Sequence, residues 1–257
     1  MAEDRQYIQG LDEYIRQGEP QEQERGRAWQ TAIGLQEVDG LKTSPYLLET
    51  ARKHIEGAIT ISEAKQLIDS YYKSQAGRKE IEGERTEEAD KVSARITELL
   101  QEQTFNFSPA QLTSIHRRLF EGIYKFAGRI RDYNITKHEW VLRGETVYYA
   151  SADTISETLD YDMGQERNYS YEGKSIDEAI SHLTHFCANL WQIHAFGEGN
   201  TRSTAVFMIK YLKTLGFKAT NDLFATNSWY FRNALVRANY SNLQEGITET
   251  TIYLERF

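Results

Sequence analysis

The chain has 257 residues, 40% hydrophobic and 26% charged, the composition of a globular protein long enough to bury a sizeable core. Its formal charge of −8 argues against nucleic acid as the main ligand, because phosphate neutralisation dominates that affinity. Cys187 is the one cysteine, which rules out an intrachain disulfide and a cysteine zinc site, and no apolar run approaches the ~20 residues of a membrane span. The charged N-terminus has no signal-peptide core, so a cytoplasmic protein without membrane contact is expected.

Residues 1–28 are polar and promise little burial. Trp29, Ala32, Ile33, Leu35 and Val38 then share one helix face, which ends at Asp39-Gly40. Ser44-Pro45 opens a second helix through Leu47, Leu48, Ala51 and Ile55, and Gly57 stops it. Thr60-Ile-Ser-Glu63 is a capping box for a third helix through Ala64, Leu67, Ile68 and Tyr71. Residues 73–91 are charge-dense and read as a solvated linker or an exposed helix. The chain therefore divides into an N-terminal unit of three helices, residues 1–78, and a second domain, residues 79–257.

The second domain opens with a helix through Val92, Ile96, Leu99 and Leu100. Ser108-Pro-Ala-Gln111 reads as another capping box, ahead of Leu112, Ile115 and Leu119. Residues 129–150 break the helical pattern. Trp140-Val-Leu and Thr146-Val-Tyr-Tyr149 predict a β-hairpin turning at Gly144. Ile176, Ala179, Ile180, Leu183, Phe186, Cys187, Leu190 and Ile193 predict an amphipathic helix, with Cys187 a small core residue. Ala205, Val206, Ile209, Leu212 and Leu215 predict another, with Gly216 as its stop. A helical run follows from Trp229, and its end at Phe257 suggests a truncated chain.

The segment between the two amphipathic helices, His194-Ala-Phe-Gly-Glu-Gly-Asn-Thr-Arg202, carries the chemistry. The first turn of the second helix leaves backbone N–H groups for an anion. Gly197 and Gly199 let the backbone approach a phosphate. His194 titrates near neutrality and suits a general base. Glu198 can hold Mg²⁺, while Asn200 and Arg202 can donate to phosphate oxygens. Phe196 plugs into the core.

This segment resembles the signature of Fic domains, HPFx[D/E]GNGRxxR, with His194, Phe196, Glu198, Gly199, Asn200 and Arg202 matching. The resemblance covers about residues 92–257 and implies a mainly α fold, a helical bundle with a β-hairpin flap. It implies a protein adenylyltransferase, moving AMP from ATP with Mg²⁺ onto a Ser, Thr or Tyr hydroxyl of a target protein. By resemblance His194 is the base, Glu198 the Mg²⁺ ligand, and Phe196, Gly197, Gly199, Asn200, Thr201 and Arg202 the nucleotide site. Trp140, Val141, Leu142, Val147 and Tyr148 fall in the flap that clamps the target. A homodimer is compatible with the sequence. Ala195, Thr201 and Ala205 depart from the signature's Pro, Gly and final Arg, and Ala205 leaves the choice of nucleotide open.

Residues 29–72 are similar to a small VbhA-type antitoxin fused in cis, so the N-terminal unit is expected to inhibit. Leu35-Gln-Glu-Val-Asp39-Gly40 stands where the inhibitory Ser-xxx-Glu-Gly would be, with Asp39 and Gly40 as the inhibitory pair. A literal match, Ser241 to Gly246, reads as coincidence inside a core helix. His182 and His185 read as packing or surface residues rather than zinc ligands. The alternatives are a Fic-fold enzyme using another nucleotide or phosphoryl donor, and a degenerate binding module.

Overall fold

The computed structural model describes residues 11–74, 85–217 and 222–257. It is mainly helical: α1 (Pro20–Gly34), α2 (Pro45–Ile55), α3 (Ile61–Ser74), α4 (Thr86–Gln101), α5 (Pro109–Phe120), α6 (Ile155–Asn168), α7 (Ile176–Ile193), α8 (Asn200–Thr214), α9 (Asp222–Ala238) and α10 (Ile252–Glu255). The boundary expected at residues 78 and 79 lies outside the described residues, as do Arg78, Lys79, Glu80, Glu82 and Glu84. Contacts divide the chain into Met1–Thr104 with Leu215–Ser228, and Phe105–Thr214 with Trp229–Phe257. No helix of the described residues is long and apolar enough to cross a membrane.

In the first unit α1 packs on α2 and α4, and α3 packs on both α2 and α4. Trp29, Ile33, Leu47, Ala51, Ile55, Ala64, Ile68 and Ala94 meet in its core. Each buried Leu or Ile side chain among them contributes roughly 1.5–3 kcal/mol. Ser44 caps α2 by accepting from Leu47 N at 3.0 Å, and the Thr60–Glu63 box forms in both directions, 2.7 and 3.2 Å. Two expectations need correction. The helix that carries Trp29 starts at Pro20 rather than near Trp29, because Glu19 and Glu22 form a capping box inside the polar run, and residues 11–17 ahead of it are helical as well. The charge-dense stretch is not wholly solvated: Asp90 is fully buried, accepting from Ser44 N at 2.9 Å, Ser44 Oγ at 2.5 Å and Tyr72 Oη at 2.7 Å. Three donors make a buried carboxylate tenable.

In the second unit α5 and α7 pack on α8, while α6 and α10 pack on α7. Phe107, Phe186, Phe207 and Tyr211 form an aromatic cluster with centroids 4.4–6.0 Å apart. Cys187 is buried, which pushes its thiol up to about 12 and removes it as a nucleophile. Ser175 and Glu178 form a reciprocal capping box on α7.

The expected flap hairpin is corrected. Residues 129–150 contain no strand, and Trp140–Leu142 is a 3₁₀ turn. The chain does reverse there, with Arg143 (φ 56°) and Gly144 (φ 95°) left-handed. Local bonds, Gly144 N to Glu139 O at 3.0 Å and Glu139 N to Glu145 O at 2.8 Å, close the loop on itself. An isolated two-stranded ribbon is marginal, and the local turn satisfies the backbone instead.

The run from Ser241 to Gly246 is also corrected. It lies beyond α9 rather than in a core helix, as a 3₁₀ turn with Leu243 83% exposed and Gly246 left-handed.

Candidate active site

The loop 194–199 joins the C-terminus of α7 to the N-terminus of α8. His194 terminates α7 in the left-handed region (φ 50°, ψ 55°), a conformation that costs a non-glycine residue about 1 kcal/mol. Arg131 holds it there. This buried guanidinium donates Nε to His194 O at 2.8 Å, Nη1 to Tyr133 O at 2.7 Å and Nη2 to Ala150 O at 2.5 Å. Its own N–H donates to Ala195 O at 2.9 Å. The charge thus sits at the negative end of α7, where the helix dipole favours a cation.

The imidazole of His194 is buried against Tyr149 at 4.1 Å and Trp191 at 5.3 Å. Nδ1 lies 3.3 Å from Trp191 O, an acceptor, so Nδ1 carries the proton. Nε2 is then the lone-pair nitrogen, and it is buried without a protein partner. Burial holds the pKa of the ring well below its ordinary value, and the charges of Lys137, Arg131 and Arg232 push the same way. The ring is neutral at pH 7, as a general base must be.

The rest of the loop is fixed by groups far away in sequence. His116 donates Nε2 to Glu198 O at 2.9 Å while Nδ1 accepts from Gly128 N at 2.8 Å, which settles its tautomer. Burial lowers its pKa to about 4. Its ring stacks on Phe196 at 3.8 Å, and Phe196 is buried as expected. Asn200 bonds both ways with the Phe196 backbone, Oδ1 accepting at 2.9 Å and Nδ2 donating at 2.7 Å. One amide hydrogen of Asn200 therefore remains for a ligand. Gly199 is left-handed (φ 77°), and a Cβ there would strike the Phe120 ring. A Cβ on Gly197 would meet Tyr133 Oη at 2.6 Å.

Thr201 accepts from the Trp191 indole N–H at 3.0 Å, a buried bond that a glycine could not make. Arg202 is fully buried, with Nη2 on Tyr124 Oη at 3.3 Å and its guanidinium 4.7 Å over Phe120. Ala205 is buried and apolar. Ser203 Oγ, in the first turn of α8, is also buried without a hydrogen-bond partner.

Glu198 is the carboxylate of the loop, its side chain 49% exposed and 3.1 Å from Lys137 Nζ. Among the described residues no cluster of three or more His, Cys, Asp or Glu could hold a metal. A single half-exposed carboxylate is nevertheless compatible with Mg²⁺, which binds through one or two carboxylates plus substrate phosphates. His182 bonds Glu166 at 2.7 Å, and His185 Nδ1 bonds Ser181 O at 2.7 Å.

Of the expected flap residues, Trp140 and Tyr148 are more than four-fifths exposed, whereas Leu142 and Val147 are buried anchors and Val141 is half-buried. Gln192 of α7 donates to Tyr148 O at 3.1 Å. Glu139, beside them, is buried and accepts from Arg232 at 3.0 Å and from Tyr149 Oη at 3.3 Å. Asp39 and Gly40 belong to the first unit, at the end of a 3₁₀ turn (Leu35–Asp39); Asp39 is half-buried and Gly40 left-handed (φ 69°). Arg131, His116 and Lys137 were missed by sequence reasoning. Their partners lie 61–82 residues along the chain, beyond any local pattern.

The site thus joins a buried neutral histidine at the end of α7 to the start of α8. Residues 106–212 match the model of the Fic/DOC family, a span that takes in α5, the flap region, α6, α7 and the loop. That match supports a Fic domain protein. No curated protein matches the chain.

Proposed function

We propose that the protein is a nucleotidyltransferase that moves AMP from ATP onto a Ser, Thr or Tyr hydroxyl of a target protein. The observation that carries this reading is His194 Nε2, a buried neutral base with no protein partner, set beside the N-terminus of α8. The target hydroxyl gives its proton to Nε2 as its oxygen bonds to the α-phosphorus. The bond from that phosphorus to the bridging oxygen breaks, and pyrophosphate leaves. The first-turn amides of α8, the second amide hydrogen of Asn200 and the charge of Arg202 stabilise the phosphate oxygens. Glu198 would hold Mg²⁺, which would neutralise phosphate charge. Trp140 and Tyr148 offer exposed aromatic surface to the target.

The test incubates the full chain with Mg²⁺, cell lysate and α-labelled ATP, CTP, GTP or UTP, beside His194→Ala and a parallel γ-labelled series. Label on protein from α-labelled ATP is expected, and His194→Ala should reduce it by roughly 10²–10⁴-fold with unchanged circular dichroism. Label that survives in His194→Ala would remove the histidine from the mechanism. Label from another nucleotide, to which Ala205 leaves the site open, would keep the chemistry and change the donor. Label appearing only with γ-labelled nucleotide would make the enzyme a kinase.

A further inference from the structure

Glu198 has a resident cation. Lys137 Nζ stands 3.1 Å from Glu198 Oε2, with the two side chains 27% and 49% exposed. A half-exposed pair of this kind contributes only about 0–1 kcal/mol, so it opens readily to a competing ligand. The guanidinium of the loop, Arg202, is placed differently. It is fully buried under the Phe120 ring and bonded to Tyr124, so its position is fixed by packing. Ala205, one turn into α8, adds no charge. A nucleoside triphosphate carries more negative charge than one buried arginine can offset, and Lys137 has the length and exposure to follow a phosphate.

We propose that Lys137 is the outer phosphate-binding residue of this site, selecting nucleoside triphosphates over monophosphates by exchanging Glu198 for a phosphate oxygen when nucleotide enters. The inference rests on the nucleotidyl-transfer reading and adds to it the residue that reads phosphate-chain length. At rest the ammonium neutralises Glu198. With nucleotide bound, Glu198 turns to a divalent cation and the ammonium turns to the β- or γ-phosphate.

The experiment is calorimetric titration of the full chain with ATP and with AMP, each with Mg²⁺, for the parent, Lys137→Met and Lys137→Arg. Methionine keeps the length and removes the charge. In Lys137→Met the Kd for ATP should rise about tenfold or more while that for AMP changes less than twofold, so the triphosphate preference shrinks. Lys137→Arg should restore most of that preference. Equal ATP-to-AMP ratios in parent and Lys137→Met overturn the proposal while leaving nucleotide binding intact. No binding of ATP, CTP, GTP or UTP to the parent overturns the underlying reading, and this proposal with it.

Discussion

Asp90 and His54 in the first unit and His194 in the second show two opposite treatments of a buried polar group. In the first, Asp90 is surrounded by three donors, and His54 Nδ1 accepts from the Trp29 indole at 2.9 Å. In the second, His194 is buried just as deeply but keeps Nε2 without a partner. Native folds rarely leave such atoms unmatched, and where they do a ligand or a reaction commonly supplies the partner. The contrast separates a polar group that holds structure from one that is held ready. His116 shows that the second unit can do both, since its two ring nitrogens are committed to fixing the loop that leaves Nε2 open.

Acid should test this contrast most strongly. His54 and His116 titrate at about 4 when folded, against an ordinary value of 6.5, and burial is the main cause in each. The unfolded chain therefore binds more protons between those values. Their contribution is complete above pH ~6.5 and is lost as pH falls towards 4, so the melting temperature should drop through that window. His194 is also pushed well below its ordinary value by burial. The acid limb of activity should follow loss of fold rather than protonation of the base. An activity profile that falls near 6.5 while circular dichroism is unchanged would show that Nε2 is wetter than its burial implies.

Asp90→Ala should come next, destabilising by about 3–5 kcal/mol in urea unfolding, because Ser44 N, Ser44 Oγ and Tyr72 Oη lose their acceptor together. A change below 1 kcal/mol would mean that water reaches the knot. Thr201→Val should cost less, about 1–2 kcal/mol, since it keeps shape and strands only the Trp191 indole N–H. Unchanged stability would show that the indole finds another acceptor.

Much of the helical plan was legible because helix starts are local. Ser44, Thr60 and Ser175 each cap a helix through residues three positions away, and apolar spacing marked α2, α3, α7 and α8. The loop was legible as a pattern of residue types, and Phe196 packs as read. What stayed hidden was long-range. Nothing near Arg131 announces that it grips the end of α7, and nothing in the run around Asp90 announces a burial completed by Ser44 and Tyr72. The strands expected in the flap region do not form, because β-rich composition near a glycine predicts strands only when a partner strand is available. The turn at Ser241 was misread because the helical run from Trp229 was carried past Asn242, which caps a 3₁₀ turn by accepting from Gln244 N.

The division of the chain also bears on how it can be cut. It builds the first unit to Thr104, builds most of the second to Thr214, returns to the first for Leu215–Ser228 and then completes the second. Helix α9 changes allegiance near Asn227, where its backbone leaves helical geometry (φ −134°, ψ 30°). Ser228, at that break, is buried and donates to Gly34 O at 2.5 Å. A fragment starting near residue 105 would carry a stretch whose packing partners were left behind. Each unit is therefore assembled from stretches that are not contiguous in sequence, and a single cut in the chain separates neither of them whole.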